Sequence, residues 1–97
     1  MGVHRHPAFA GDIRKAAFYY GEISQKVLDG FWAKLDRILA SVIRNPRMNH
    51  FDSSGFRRAN FKKYPYHLLY EVDEDSLYFI VLRHDQRHPS FGTRRKF

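Results

Sequence analysis

Ninety-seven residues are enough for one domain, spanning 1–97, and too few for two separately packed cores. Hydrophobic content of 43%, with 16% aromatic residues, excludes a disordered tail, and the absence of cysteine excludes a disulfide framework or a thiolate metal site. Seventeen Lys and Arg against ten Asp and Glu leave a net charge of +7, which calls for an anionic partner. The longest apolar run, Leu77–Leu82, is far below the ~18–20 residues of a membrane span. The opening Met1–His6 has no apolar leader, so a cytoplasmic, soluble module is the expectation. Beyond Phe56, Asp85 is the one acid outside the Glu71–Asp75 cluster, which points to the C-terminal half as the gripping surface.

Val3–His6 reads as a stubby edge strand, because Pro7 holds the preceding residue extended. From Phe9 to Tyr20, the apolar residues Phe9, Ile13, Ala16, Ala17 and Tyr20 recur at helical steps, and Gly21 is a candidate stop. Ser24 is placed to cap a second helix whose apolar set runs from Val27 through Phe31, Trp32, Leu35, Ile38, Leu39 and Val42 to Ile43. Asn45-Pro46 ends it. A connection of about three residues predicts an antiparallel helical hairpin. After a polar loop come three strand patterns, Phe56–Phe61, Tyr66–Val72 and Leu77–Leu82, with an acidic turn at Asp73–Asp75. The last two are apolar on both faces and belong at the centre of a sheet. The expected fold is α+β: a short strand, a helical hairpin and a three-stranded antiparallel meander, with the helices on one sheet face.

Phe56-Arg57-Arg58-Ala59-Asn60-Phe61-Lys62-Lys63-Tyr64-Pro65-Tyr66, running on to Tyr70-Glu71-Val72, resembles the signature of the RelE/ParE toxin superfamily. That signature has paired basic residues, a basic-aromatic-Pro-Tyr turn and an apolar strand ending Tyr-x-Val. His84-Asp85-Gln86-Arg87-His88-Pro89 is similar to the family's His-x-x-Arg-x-Pro segment, and Ile13, Ala16, Tyr19-Tyr20 and Asn45-Pro46 to its helical hairpin. The resemblance implies the toxin of a type II toxin–antitoxin system, a growth inhibitor and plasmid-stabilising factor neutralised by a cognate acidic antitoxin, with no cofactor. RelE-like members cleave messenger RNA in the ribosomal A site; ParE-like members inhibit DNA gyrase and are not nucleases.

Both targets have candidate residues. A ribonuclease needs a proton-exchanging group and cations at the scissile phosphate. By resemblance, His67 stands where RelE-like enzymes place a phosphate-contacting arginine, and Arg87 is similar to their later catalytic arginine. With Asp73–Asp75 as the hairpin loop, His67 shares a face with Val81 and lies diagonal to Arg83, which makes His67, Arg83 and Arg87 a possible catalytic cluster. Against it, Asn60 replaces a family lysine and Phe91 stands where a catalytic tyrosine is sought, so the reading leans to gyrase inhibition. Arg57, Arg58, Lys62 and Lys63 form an acid-free stretch, and Arg94-Arg95-Lys96 a basic tail, both candidates for target binding. The bland readings are a hydrogen-bonded sheet histidine, a solvated cationic surface, a loose tail, and Phe31, Trp32 and Leu35 as core. A metal site at His84 and His88 lacks suitable spacing. A plain RNA-binding module is the remaining alternative, disfavoured because the three strands are consecutive.

Overall fold

A computed structural model describes residues 1–97. Its elements are β1 (Gly2–Arg5), α1 (Pro7–Ile23), α2 (Gln25–Arg44), β2 (Arg57–Asn60), β3 (Tyr66–Val72) and β4 (Ser76–His84). The order is the expected α+β sequence of one strand, two helices and three strands. One sheet holds all four strands in the order β1-β4-β3-β2, with β1 parallel to β4 and the other pairs antiparallel. No helix is long and apolar enough to cross a membrane.

His6 belongs to the first helix rather than to the first strand. Its Nδ1 accepts the Ala8 amide at 3.0 Å, and Pro7 occupies the first helical position, where its missing N–H costs nothing. At the other end α1 runs through Gly21 and stops at Ser24, so the connection is one residue, not three. Ser24 serves both helices: its amide donates to the Tyr20 carbonyl at 3.2 Å, and its Oγ accepts the Val27 amide at 3.1 Å. An extended serine here breaks the helix and restarts it in a new direction. α2 ends at Asn45-Pro46 as predicted.

Phe9, Ile13, Ala16 and Tyr20 of α1 and Phe31, Leu35, Leu39 and Val42 of α2 form the buried stripes. They close over Ala59, Phe61, Leu68, Tyr70, Leu77, Phe79 and Leu82 of the sheet and its first turn. Burial of each large side chain contributes roughly 1.5–3 kcal/mol, so this face carries the fold. Trp32 and Ile43, expected in the core, sit at the margin of the stripe and are 39% and 43% exposed. Gly30 lets Tyr64 pack closely on α2: a Cβ there would lie 2.5 Å from Tyr64 Oη and push it off its 3.1 Å bond to the Val27 carbonyl.

A bulge reshapes the meander. Leu69 pairs with Val81 but Tyr70 pairs with Phe79, leaving Ile80 without a partner. Ile80 and Val81 thereby join Leu69 in a second, smaller core on the face away from the helices. Val72 pairs with Leu77, one residue beyond what an Asp73–Asp75 loop gives, and the bulge adds a second step, so His67 lies directly opposite Arg83 instead of opposite Val81 with Arg83 on the diagonal. Phe91 of the C-terminal segment covers this second core, and Gly92 (φ 77°) passes so close to the Val81 side chain that no Cβ fits.

Candidate functional site

Strand alternation places His67 and Arg83 on the sheet face away from the helices, and both are buried. Arg83 Nε donates to His67 Nε2 at 2.9 Å, and His67 Nδ1 lies 2.8 Å from Asp85 Oδ1. Because a guanidinium only donates, Nε2 must be the bare nitrogen, and the ring proton on Nδ1 is donated to Asp85. Burial pushes the imidazole pKa below its ordinary value, with Arg58 and Arg83 adding to the effect and Asp85 opposing it. The ring is therefore neutral, with both nitrogens engaged.

Arg83 also donates to the Pro89 carbonyl at 2.5 Å and to Asp52 Oδ1 at 3.3 Å. Burial acts to raise the Asp52 carboxyl, but hydrogen bonds from Ser54, the charge of Arg83 and a hydrogen bond from Arg58 hold it below the usual carboxylate range. Arg58 approaches Asp52 at 3.4 Å and Asp85 at 3.8 Å. Asp52, Arg58, His67, Arg83 and Asp85 thus form a closed, charge-balanced network joining the loop after α2, all three meander strands and the exit loop. No buried side-chain polar atom is left without a partner.

Arg87 does not join it. The chain reverses after β4, with the Arg87 amide donating to the His84 carbonyl, and the guanidinium lies 4.2 Å over the Phe91 ring on the α1 side. The predicted His67/Arg83/Arg87 cluster is thus a joined pair and a separate arginine. The expected acid-free cationic stretch is also divided. Arg57 is tied to the Arg47 and Asn49 carbonyls and stacks 4.3 Å over Phe51. Arg58 faces Asp52 and Asp85, acids brought in from loops on either side of the meander. Lys62 and Lys63 remain exposed and make no ion pair.

In the tail, Arg94 is exposed but Arg95 is not a free cation. It pairs with Asp12 of α1 at 2.6 and 2.9 Å and donates to the Ile80 carbonyl at 2.8 Å. Asp12 in turn accepts the Leu82 amide at 3.1 Å. β1 pairs with β4 only as far as Phe79, so beyond it the Ile80 carbonyl and Leu82 amide lack a strand partner, and this ion pair supplies one. Asp12 gave no sequence signal for this role, since its partner lies 83 residues away.

A groove of about 400 Å³ lies between α2 and the β2 edge. Ile38, Val42, Ala59 and Phe61 make an apolar floor, Lys34, Arg37 and Lys62 surround it, and no acid lines it. Lys34 and Arg37 lie outside the buried stripe of α2, and the approach of β2 turns them into a rim.

The family model described as ParE toxin of type II toxin-antitoxin system, parDE, matches residues 3–89. Among solved structures, the fold is similar to a chain titled "Chromosomal ParDE TA system from P. aeruginosa". That pair has a TM-score of 0.73 and 11% identity, over 87% of this chain and 95% of the other. The likeness at that identity concerns the fold. No curated protein matches by sequence.

Proposed function

This chain belongs to the ParE toxin family of type II toxin–antitoxin systems, and from that premise we propose that it arrests growth by binding DNA gyrase rather than by cutting RNA. The observation that carries the choice is the state of His67. Ribonuclease chemistry on this face needs a group that takes a proton from a ribose hydroxyl or returns one to the leaving oxygen. The one histidine in the candidate cluster is 1% exposed, with Nδ1 held by Asp85 and Nε2 by Arg83. Arg83 is itself committed to three protein acceptors. The network reads as a fastener for the meander, and the toxin acts as a binder whose free cations, Lys62, Lys63 and Arg94, are available to a target.

The cognate partner in this reading is an acidic antitoxin in the same cytoplasm. The α2–β2 groove suits an amphipathic acidic segment, with apolar side chains entering over Val42 and Phe61 and carboxylates meeting Lys34, Arg37 and Lys62. The deciding experiment incubates the purified chain with gyrase and plasmid DNA, and in parallel with ribosomes translating a defined transcript. Inhibited supercoiling or trapped DNA breaks with an intact transcript is the expected outcome. Ribosome-dependent cleavage with unaffected gyrase would overturn the proposal.

A further inference from the structure

Where α1 meets α2 and the Lys62–Pro65 turn closes over them, two hollows meet at Tyr66 and His84, one of about 510 Å³ and one of about 90 Å³. They are separate from both the His67 network and the α2–β2 groove. Rings dominate the larger hollow. Tyr66 meets His84 edge-on at 5.1 Å, Tyr20 meets Tyr64 edge-on at 5.0 Å, and Tyr19 stands 60% exposed at the lip. Three exposed cations, Lys15, Lys63 and Arg87, lie along the two hollows, and none of them makes an ion pair. The single acid of the lining, Asp12, is already neutralised by Arg95.

Lys63 adds an independent observation. It has φ 71°, the only left-handed residue in the chain that is not glycine. Glycine would hold this turn without strain, so the lysine side chain stands here at a backbone cost.

We propose that this trough binds single-stranded nucleic acid, with bases stacking on Tyr19 and on the Tyr66–His84 pair and phosphates meeting Lys15, Lys63 and Arg87. Aromatic planes interleaved with unpaired cations are the pattern that accepts unpaired bases of any sequence. Duplex offers the same phosphates but keeps its base faces stacked, so it gains only the charge component. An acidic helix is the poorer occupant, because the larger hollow is walled mainly by rings, with Ile23 and Pro65 its only aliphatic side chains, whereas the α2–β2 groove is floored by Ile38, Val42 and Ala59 beside Phe61. The inference stands apart from the gyrase reading and is tested without gyrase.

The test is fluorescence anisotropy of the full chain with labelled oligothymidylate and oligouridylate of roughly twelve nucleotides, within the ~4–16 that such grooves accommodate. Tyr19→Ala should weaken binding about tenfold, the loss of one stacked base. Lys63→Gly should lower the slope of log affinity against log salt by about 0.7, the loss of one phosphate contact. Arg44→Ala, at the far end of α2, serves as the charge control and should change affinity less than about threefold. Tyr19 is exposed, and Lys63→Gly relieves the left-handed strain, so both variants retain the fold, as circular dichroism would record. Tighter binding of either strand identifies the source, and equal binding of both supports the shared chemistry. The proposal is overturned if both trough variants bind like Arg44→Ala, if duplex of equal charge binds as tightly, or if oligoglutamate competes as well as the unlabelled strand.

Discussion

Replacing Arg83 by methionine removes a guanidinium while keeping most of the buried side-chain volume. The structure sets the size of the effect. The Arg83 side chain is 3% exposed and donates to His67, the Pro89 carbonyl and Asp52, which is itself 6% exposed. Removing one member of a buried pair costs about 3–5 kcal/mol, because the other charge stays desolvated and unpaired. Here Arg58 still faces Asp52 at 3.4 Å, which reduces the expected loss to about 2–4 kcal/mol. Against roughly 5–15 kcal/mol for a domain of this size, that is a large fraction of the total. Urea unfolding followed by Trp32 fluorescence should show the midpoint falling by about 1–3 M with an unchanged slope. Adding Asp52→Asn to Arg83→Met should restore part of the loss by discharging the stranded carboxylate. Toxicity per folded molecule should persist. A catalytic arginine would behave oppositely, and stability kept within about 1 kcal/mol with activity abolished would refute the structural role.

Three further outcomes follow from the same geometry. His67 has a depressed imidazole pKa when folded, so its stabilising contribution is complete above the ordinary value of 6.5 and is lost as pH falls through the lower folded value. The urea midpoint should decline on acidification below about 6.5, and His67→Gln should flatten that decline; an unchanged pH profile would show that the ring is not held neutral. Asp12→Ala takes the acid from Arg95, which keeps only the Ile80 carbonyl, and leaves the Leu82 amide without its acceptor. It should cost about 1–3 kcal/mol and speed tryptic cleavage after Arg95, read by mass spectrometry. Charge reversal at the groove, Lys34→Glu with Arg37→Glu, should weaken antitoxin binding by about tenfold or more and reduce its salt dependence while leaving gyrase inhibition in place.

What the amino-acid sequence determined by itself is everything governed by near neighbours. Phe31, Leu35, Leu39 and Val42 recur at helical steps, Ser24 offers a capping oxygen, Asn45-Pro46 forbids continuation, and two apolar runs around Asp73–Asp75 leave a hairpin as the economical solution. Those signals act over one or two turns, and they suffice for the element order and the α+β class. His6 and Gly21 depart from the local pattern within the same range: capping geometry draws His6 to α1, and a glycine one turn before Ser24 has no need to end the helix.

The candidate site depended on contacts that no local pattern contains. A hairpin pairing one residue beyond the expected loop and one bulged residue, Ile80, together put His67 opposite Arg83. Folding then carries Asp52 across 31 positions to Arg83, and Asp12 across 83 to Arg95, turning two apparently free arginines into fasteners. A cation's role is set by which acid reaches it and whether water is excluded between them. Sequence position fixes neither distance nor desolvation, so the tertiary structure alone separates Arg83 and Arg95 from the cations that remain free to bind.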